Sequence, residues 1–572
     1  MKILKISILA GCLMLQACGG SQSPAGTQLA HPNAGQLLQN PPPRLLSLSA
    51  RDFTDELLQG GSAGQALLGL STGDNTGKTA LKCGVDVYYI NFASVDGQNL
   101  PATSSGAIMV PTGGSGCSGS RPIIEYAHGT NFDHNYNIAN LGDNTNPAYD
   151  EALMNAALYA ANGYIVVAPN YVGYDSSTTA YHPYLVKQQQ SADMINALKA
   201  ARSALPLLLS PIVDNNKLFL TGYSQGGYVA LATEQAMEQQ NIPVTAAVPG
   251  SGPYALSAFV DYIFLGHPNL GTTRLGVILV DGYQGSYGNV YSNPADLFAG
   301  SPSVHIPYAD AAADANSPVQ LFSTPMFPTA LPALASATIL PSDPATLTTV
   351  KNNLAALGQS ASAQPPANST FSPFFWGNFL STASASSYAS SQAPLQHMYI
   401  GSNALINPTY WANYLVDALA NMDNLFSSST STLPNAMPNT TPANPLRQDL
   451  LKNDLRGYVP QAPTLLCGGH ADPMVFYPLN TSTMQAEWGA PTFTRLTLDV
   501  DNLTSNSLTP VSSLPTAIQP LATASQAVFA ALYQGVLQAN AGDVSKLLPY
   551  YHPVITAQTC ALVGLQYFNQ FL

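Results

Sequence analysis

Apolar and polar positions along the chain fall into two rhythms. Val85 to Ala93 and Gly106 to Pro111 read as strands, separated by a polar segment around Asp96-Gly97, and so predict a hairpin. Arg121 to Ala127 and Gly163 to Pro169 are nearly continuous apolar runs of the kind that form strands buried on both faces. Between them, Tyr149 to Ala161 has the Ala and Leu content of a helix. Tyr184 to Leu205 carries Leu185, Met194, Ile195, Leu198 and Ala201 along one side. The apolar run from Lys217 to Tyr223 is followed by Tyr228, Val229, Leu231, Ala232, Ala236 and Met237 at helical spacing, and then by a strand over Thr245 to Gly250. Strand and helix alternating in this way predict an α/β fold with a mostly parallel central sheet and helices on both faces.

The rhythm stops after Gly250. From Ser251 to Pro460 the chain is rich in Ala, Ser, Pro and Tyr, and Ser381 to Gln392 and Ser427 to Pro445 approach low complexity. Strand patterns resume at Ala462 to Cys467 and at Phe493 to Leu498. A sheet domain over residues 46–250 and 461–572, interrupted after its sixth strand by a mainly helical cap at 251–460, accounts for this layout. The alternative is that 251–460 is a separate domain with a binding role.

Met1-Lys2-Ile3-Leu4-Lys5 and the apolar run to Leu15 have the charged start and short apolar core of a secretory signal, too short to span a membrane. Residues 1–17 are therefore read as a signal peptide. Leu15-Gln16-Ala17-Cys18 resembles the lipobox of bacterial lipoproteins, which implies cleavage before Cys18 and lipidation of its thiol. Gly19 and Gly20 stand where an aspartate would favour inner-membrane retention in the enterobacterial pattern, so an outer-membrane destination is expected. Ordinary secretion, with Cys18 incidental, is the alternative. Residues 18–45, with few apolar positions and ending near Pro41-Pro42-Pro43, read as a tether.

Beyond Cys18, the exported part would keep Cys83, Cys117, Cys467 and Cys560, an even set suited to an oxidising compartment. Cys83 with Cys117 and Cys467 with Cys560 is the sequence-local choice among three connectivities. Charged residues make up 9% of the chain and the net charge is −13, so there is no basic stripe for nucleic acid. No cysteine or histidine spacing suits zinc. Asp133, Asn135 and Asn137 alternate like a calcium loop, but Ile138 stands where the glycine is needed and no closing glutamate follows. Neither a metal nor a cofactor is expected.

Gly222-Tyr223-Ser224-Gln225-Gly226 places a serine between two glycines, after a strand and before a helix. Gly222 and Gly226 leave room for a sharp strand-to-helix turn that exposes the Ser224 hydroxyl, the geometry of a nucleophile elbow. Gly60-Gly61-Ser62-Ala63-Gly64 matches the same pattern without a preceding strand, and Ser62 is read as a loop serine. A serine hydroxyl near pH 7 needs a base, and the base needs a carboxylate to orient it. Asp472, in the polar loop after the strand ending at Cys467, is the expected acid, with Asp499 and Asp501 as runners-up or solvated turn residues. His552 is the one histidine downstream of Asp472 and is the expected base. His182 is read as structural or at a rim, and Tyr171 and Tyr174 as facing a cleft or packing.

His128-Gly129-Thr130, at the end of a buried strand, resembles the HGx oxyanion loop of lipases and esterases, which implies Thr130 as an N–H donor beside the N–H of Gln225. The whole constellation resembles the α/β-hydrolase superfamily, and within it secreted lipases and esterases with a large cap. It covers about Leu81 to Ala247 and Gln461 onward. The resemblance implies ester hydrolysis through an acyl-serine on apolar or lipid-like esters, without a cofactor. A serine peptidase of the same fold and a non-catalytic surface lipoprotein are the competing readings.

Overall fold

The computed structural model describes residues 33–572 except 75, 210–211, 265–268, 270–271, 299–405, 427–436, 504–508 and 544–546. The signal segment, Cys18 and more than half of the 251–460 insertion, including Ser381 to Gln392, lie outside the described residues.

The described strands form one sheet of nine: β1 (Arg44–Leu48), β2 (Gly84–Val95), β3 (Pro101–Thr112), β4 (Gly119–Ala127), β5 (Ile165–Pro169), β6 (Ile212–Tyr223), β7 (Ala246–Gly250), β8 (Thr464–Gly468) and β9 (Arg495–Asp499). Their spatial order is β1-β2-β3-β5-β4-β6-β7-β8-β9, antiparallel through β3 and parallel from β5 to β9. The expected hairpin is β2 and β3, in unbroken register from Gly84 opposite Thr112 to Val95 opposite Pro101.

Successive residues of the inner strands point to opposite faces, so their continuous apolar runs feed two cores. Ile123, Val167, Leu220 and Ala247 face α4 (Lys187–Ala204) and α5 (Gln225–Gln239), with Ile195, Leu198 and Met237. Ile124, Val166, Phe219 and Val248 face the other way, in the core that includes α3 (Tyr149–Leu158) and the helix Ala557–Phe568.

Three expectations need correction. The tether does not run to residue 45: Gly35 and Leu38 already donate to Ala93 and Asn91 carbonyls at 2.8 Å, and Arg44–Leu48 pairs with β2. A short edge strand beside three prolines has too few alternating apolar residues to register as one. Because of that extra strand, the insertion follows the seventh strand in chain order. Ser62 lies in the exposed first turn of α2 (Gly61–Thr72), which follows α1 (Ala50–Gln59), and not in a loop.

The described part of the insertion is helical, including α6 (Leu256–Phe264), α7 (Thr272–Tyr287) and the helices Pro408–Ala420 and Pro445–Asn453. Two buried arginines fasten it. Arg447 forks onto both oxygens of Asp261 at 2.9 and 2.8 Å and reaches Asp417 at 2.7 Å. Arg456 forks onto Asp423 at 2.8 Å through each oxygen and also onto Asp454, whose Oδ2 accepts from the Ser257 N–H and hydroxyl of α6. Planar guanidinium forks suit such paired carboxylates, and each buried charge is compensated. Among the described residues no helix is long and apolar enough to cross a membrane.

Candidate active site

The elbow forms where β6 meets α5. Ser224 has φ 59° and ψ −121°, a conformation that costs a residue with a side chain about 1–3 kcal/mol and persists only where its surroundings impose it. The surroundings do so here. The Ser224 N–H donates to the Gly250 carbonyl at the end of β7, at 2.9 Å. A Cβ on Gly226 would overlap the Ala127 carbonyl, and one on Gly222 would overlap the carbonyls of Ala127 and Gly226. Gly227, which the sequence reading passed over, lies equally close to the Gly250 carbonyl. Three glycines thus let α5 start flush against the ends of β4, β6 and β7.

The loop after β8 carries Asp472, which is fully buried. Its Oδ1 accepts the N–H groups of Met474 and Val475 at 2.9 and 3.0 Å, and its Oδ2 lies 2.6 Å from His552 Nδ1. His552 sits in the turn Tyr551–Thr556, with its ring 4.8 Å from that of Tyr223. With Nδ1 committed to Asp472, Nε2 has no partner among the described residues. His552 and Ser224 line the same cavity, but no hydrogen bond joins the Ser224 hydroxyl to Nε2; such contacts are often open until substrate is bound.

Asp499 and Asp501 are not solvated turn residues. Both are fully buried. Asp499 accepts from His470 through its ring Nδ1 at 2.9 Å and its N–H at 3.1 Å. Burial pulls the His470 ring down, but the Asp499 and Asp501 carboxylates outweigh it and raise it overall. Asp501 accepts the Tyr551 hydroxyl at 2.6 Å, and that oxygen takes the Ala471 N–H at 3.2 Å. The neighbours of Asp472 and His552 in sequence are therefore tied to each other. The disulfides Cys83–Cys117 and Cys467–Cys560 are formed, and the second joins the end of β8 to the helix that follows His552.

His128-Gly129-Thr130 follows β4. The Gly129 N–H donates to Glu151 Oε1 at 2.9 Å, and the same carboxylate accepts the hydroxyls of Tyr126 and Tyr136 at 2.7 and 2.9 Å. Glu151 thereby anchors the loop through Gly129 and leaves Thr130 beside the cavity. The buried His128 ring stacks between Tyr136 and Tyr171 at 4.2 and 4.1 Å, and burial lowers its pKa. Tyr171 and Tyr174 are packing residues: both are fully buried. His182 is also fully buried and is not a rim residue.

The cavity, about 930 Å³, has Thr130, Ser224, Gln225 and His552 in its lining. Most of the rest is apolar: Leu57 and Leu67 from the N-terminal helices, Met154 from α3, Phe259 and Ile263 from α6, and Leu279 and Val280 from α7. Glu56 and Asp150 also reach its lining. Among the described residues no group of three or more His, Cys, Asp or Glu side chains converges to hold a metal ion. Asp133 and Asn137 instead cap their own loop through the N–H groups of Asn135 and Ala139.

Residues 151–262, which run from α3 through the elbow into α6, match the Prolyl oligopeptidase family (Peptidase_S9). No curated protein matches the chain. Among solved structures, it is similar to the rice cell wall degrading esterase LipA from Xanthomonas oryzae, with 24% identity over 88% of this chain and 100% of that one, at a TM-score of 0.51. A Legionella pneumophila protein is 17% identical over 85% of this chain and 95% of its own, at a TM-score of 0.48. The strand order, the elbow between β6 and α5 and the LipA likeness agree: this chain has the α/β-hydrolase fold.

Proposed function

We propose that the chain is a serine carboxylic ester hydrolase of the lipase or esterase kind, acting on apolar acyl esters. The observation that carries this is the pairing of His552 Nδ1 with buried Asp472, which leaves Nε2 without a partner among the described residues, in the lining of a largely apolar cavity that also holds Ser224. In this reading Nε2 takes the Ser224 proton as the hydroxyl attacks the acyl carbon, and the Thr130 and Gln225 N–H groups receive the developing oxyanion. His552 then protonates the leaving alcohol. Water repeats the sequence on the acyl-serine. Asp472 holds the ring in the tautomer whose Nε2 accepts, and no step calls for a cofactor.

Turnover of p-nitrophenyl esters of graded chain length tests the reading. Wild type should exceed Ser224→Ala by several powers of ten on at least one length. Equal rates on every length would end it.

The match to the Prolyl oligopeptidase family favours a second reading, a serine peptidase using the same three side chains. Aminoacyl or prolyl amides cleaved faster than matched esters would put it first.

The two disulfides support export to an oxidising compartment. The proposal includes lipidation at Cys18 and an outer-membrane location, so mass spectrometry of the mature N-terminus should find a lipid on that residue.

A further inference from the structure

The two N–H groups assigned to the oxyanion belong to separate elements: Thr130 to the loop after β4, Gln225 to the first turn of α5. Something must fix their separation. One short segment touches both. His182 Nε2 accepts from the Gln225 side-chain amide at 2.6 Å, and two residues on, the Tyr184 hydroxyl lies 2.8 Å from Thr130 Oγ1. The His182 Nδ1–H donates to the Val172 carbonyl at 2.8 Å, and burial pushes the ring down to about 3, so it stays neutral and keeps Nε2 as an acceptor. Gln225 is held by its side chain while its main-chain N–H stays at the elbow.

The segment is itself gripped. A Cβ on Gly173, which has φ 100°, would crowd the Tyr181 and His182 backbone, and one on Gly282 of α7 would crowd the His182 carbonyl and the Tyr184 nitrogen. The Leu185 carbonyl accepts from Tyr228 of α5 at 3.3 Å and Tyr283 of α7 at 3.4 Å. Backbone from the sheet side and from the insertion therefore meets on these residues.

We infer that His182-Pro183-Tyr184 is a positioning element for the oxyanion site, fixing the Thr130 and Gln225 donors relative to each other and coupling them to α7. The inference rests on the ester hydrolase reading. None of the three residues needs to touch the reacting atoms.

Tyr184→Phe keeps the ring and removes the tie to Thr130. Gln225→Met keeps the main-chain N–H and removes the tie to His182. Loss of a whole oxyanion donor costs about 10²–10³ in kcat, so loosening one should cost about 10- to 100-fold, with KM within about twofold. Phosphonylation of Ser224 by a fluorophosphonate, which also develops charge on oxygen, should slow by a similar factor. Thr130→Val combined with Tyr184→Phe should be no worse than Tyr184→Phe alone, because both remove the same tie.

The inference is overturned if either Tyr184→Phe or Gln225→Met keeps kcat within twofold, if KM rises with kcat unchanged, or if the Tyr184 and Thr130 losses add. A wild type that is labelled by the phosphonate yet hydrolyses no ester would end the ester reading alone, and the labelling rates would still decide the positioning role. A wild type that does neither overturns both.

Discussion

Asp472 gives one oxygen to the N–H groups of Met474 and Val475 and the other to His552 Nδ1 at 2.6 Å, so its own loop aims it at the imidazole. An amide there would still fit but would favour the wrong tautomer. Asp472→Asn should lower ester kcat about 10⁴-fold while leaving thermal unfolding nearly unchanged. A loss below about tenfold would remove Asp472 from the mechanism.

Arg456 compensates two carboxylates at once, Asp423 and Asp454, and none of the three is more than slightly exposed. Arg456→Met leaves both acids facing each other without a cation. Breaking a buried pair in this way costs about 3–5 kcal/mol, to be read as a lower urea midpoint. An unchanged midpoint would mean that the insertion helices are held by other contacts.

Glu125, on β4, is fully buried, and neither carboxylate oxygen has a partner among the described residues. Burial raises its pKa well above the ordinary range, so the folded chain keeps its proton. The unfolded chain ionises it near pH ~4.3. Between that pH and the raised folded value the native state binds more protons, so stability falls as pH rises. Glu125→Gln should flatten that fall, as measured by urea unfolding between about pH 5 and 9; a slope equal to wild type refutes the assignment.

The Cys467–Cys560 bridge joins residues 93 apart in sequence. Replacing both cysteines by alanine should cost about 2–5 kcal/mol. Ester activity at temperatures well below the new midpoint should persist, because neither sulfur faces the cavity. Loss of activity in protein that is still folded would show that the bridge also sets the His552 geometry.

The elbow was legible because its requirements are local: small residues on both sides of the serine, a strand before it and a helix after it. Disulfide partners were legible because the sequence-local pairing was also the spatial one. The edge strand β1 and the burial of Asp499 and Asp501 were not, since both depend on neighbours far along the chain. Asp499 and Asp501 look like a polar turn until His470 and Tyr551 are folded onto them. Glu151 and the His182-Tyr184 segment escaped notice for the same reason. Their contacts to Gly129, Gln225 and Thr130 cross between elements and leave no periodic trace.

The insertion between β7 and β8 also orders events in time. Ser224 and its strained turn leave the ribosome before the whole insertion, and Asp472 and His552 follow only after it. On the proposed reading, a nascent or proteolytically shortened chain that has completed β7 would hold the nucleophile without its base. Hydrolysis would then require the last helices to dock, because His552 lies just ahead of the final one.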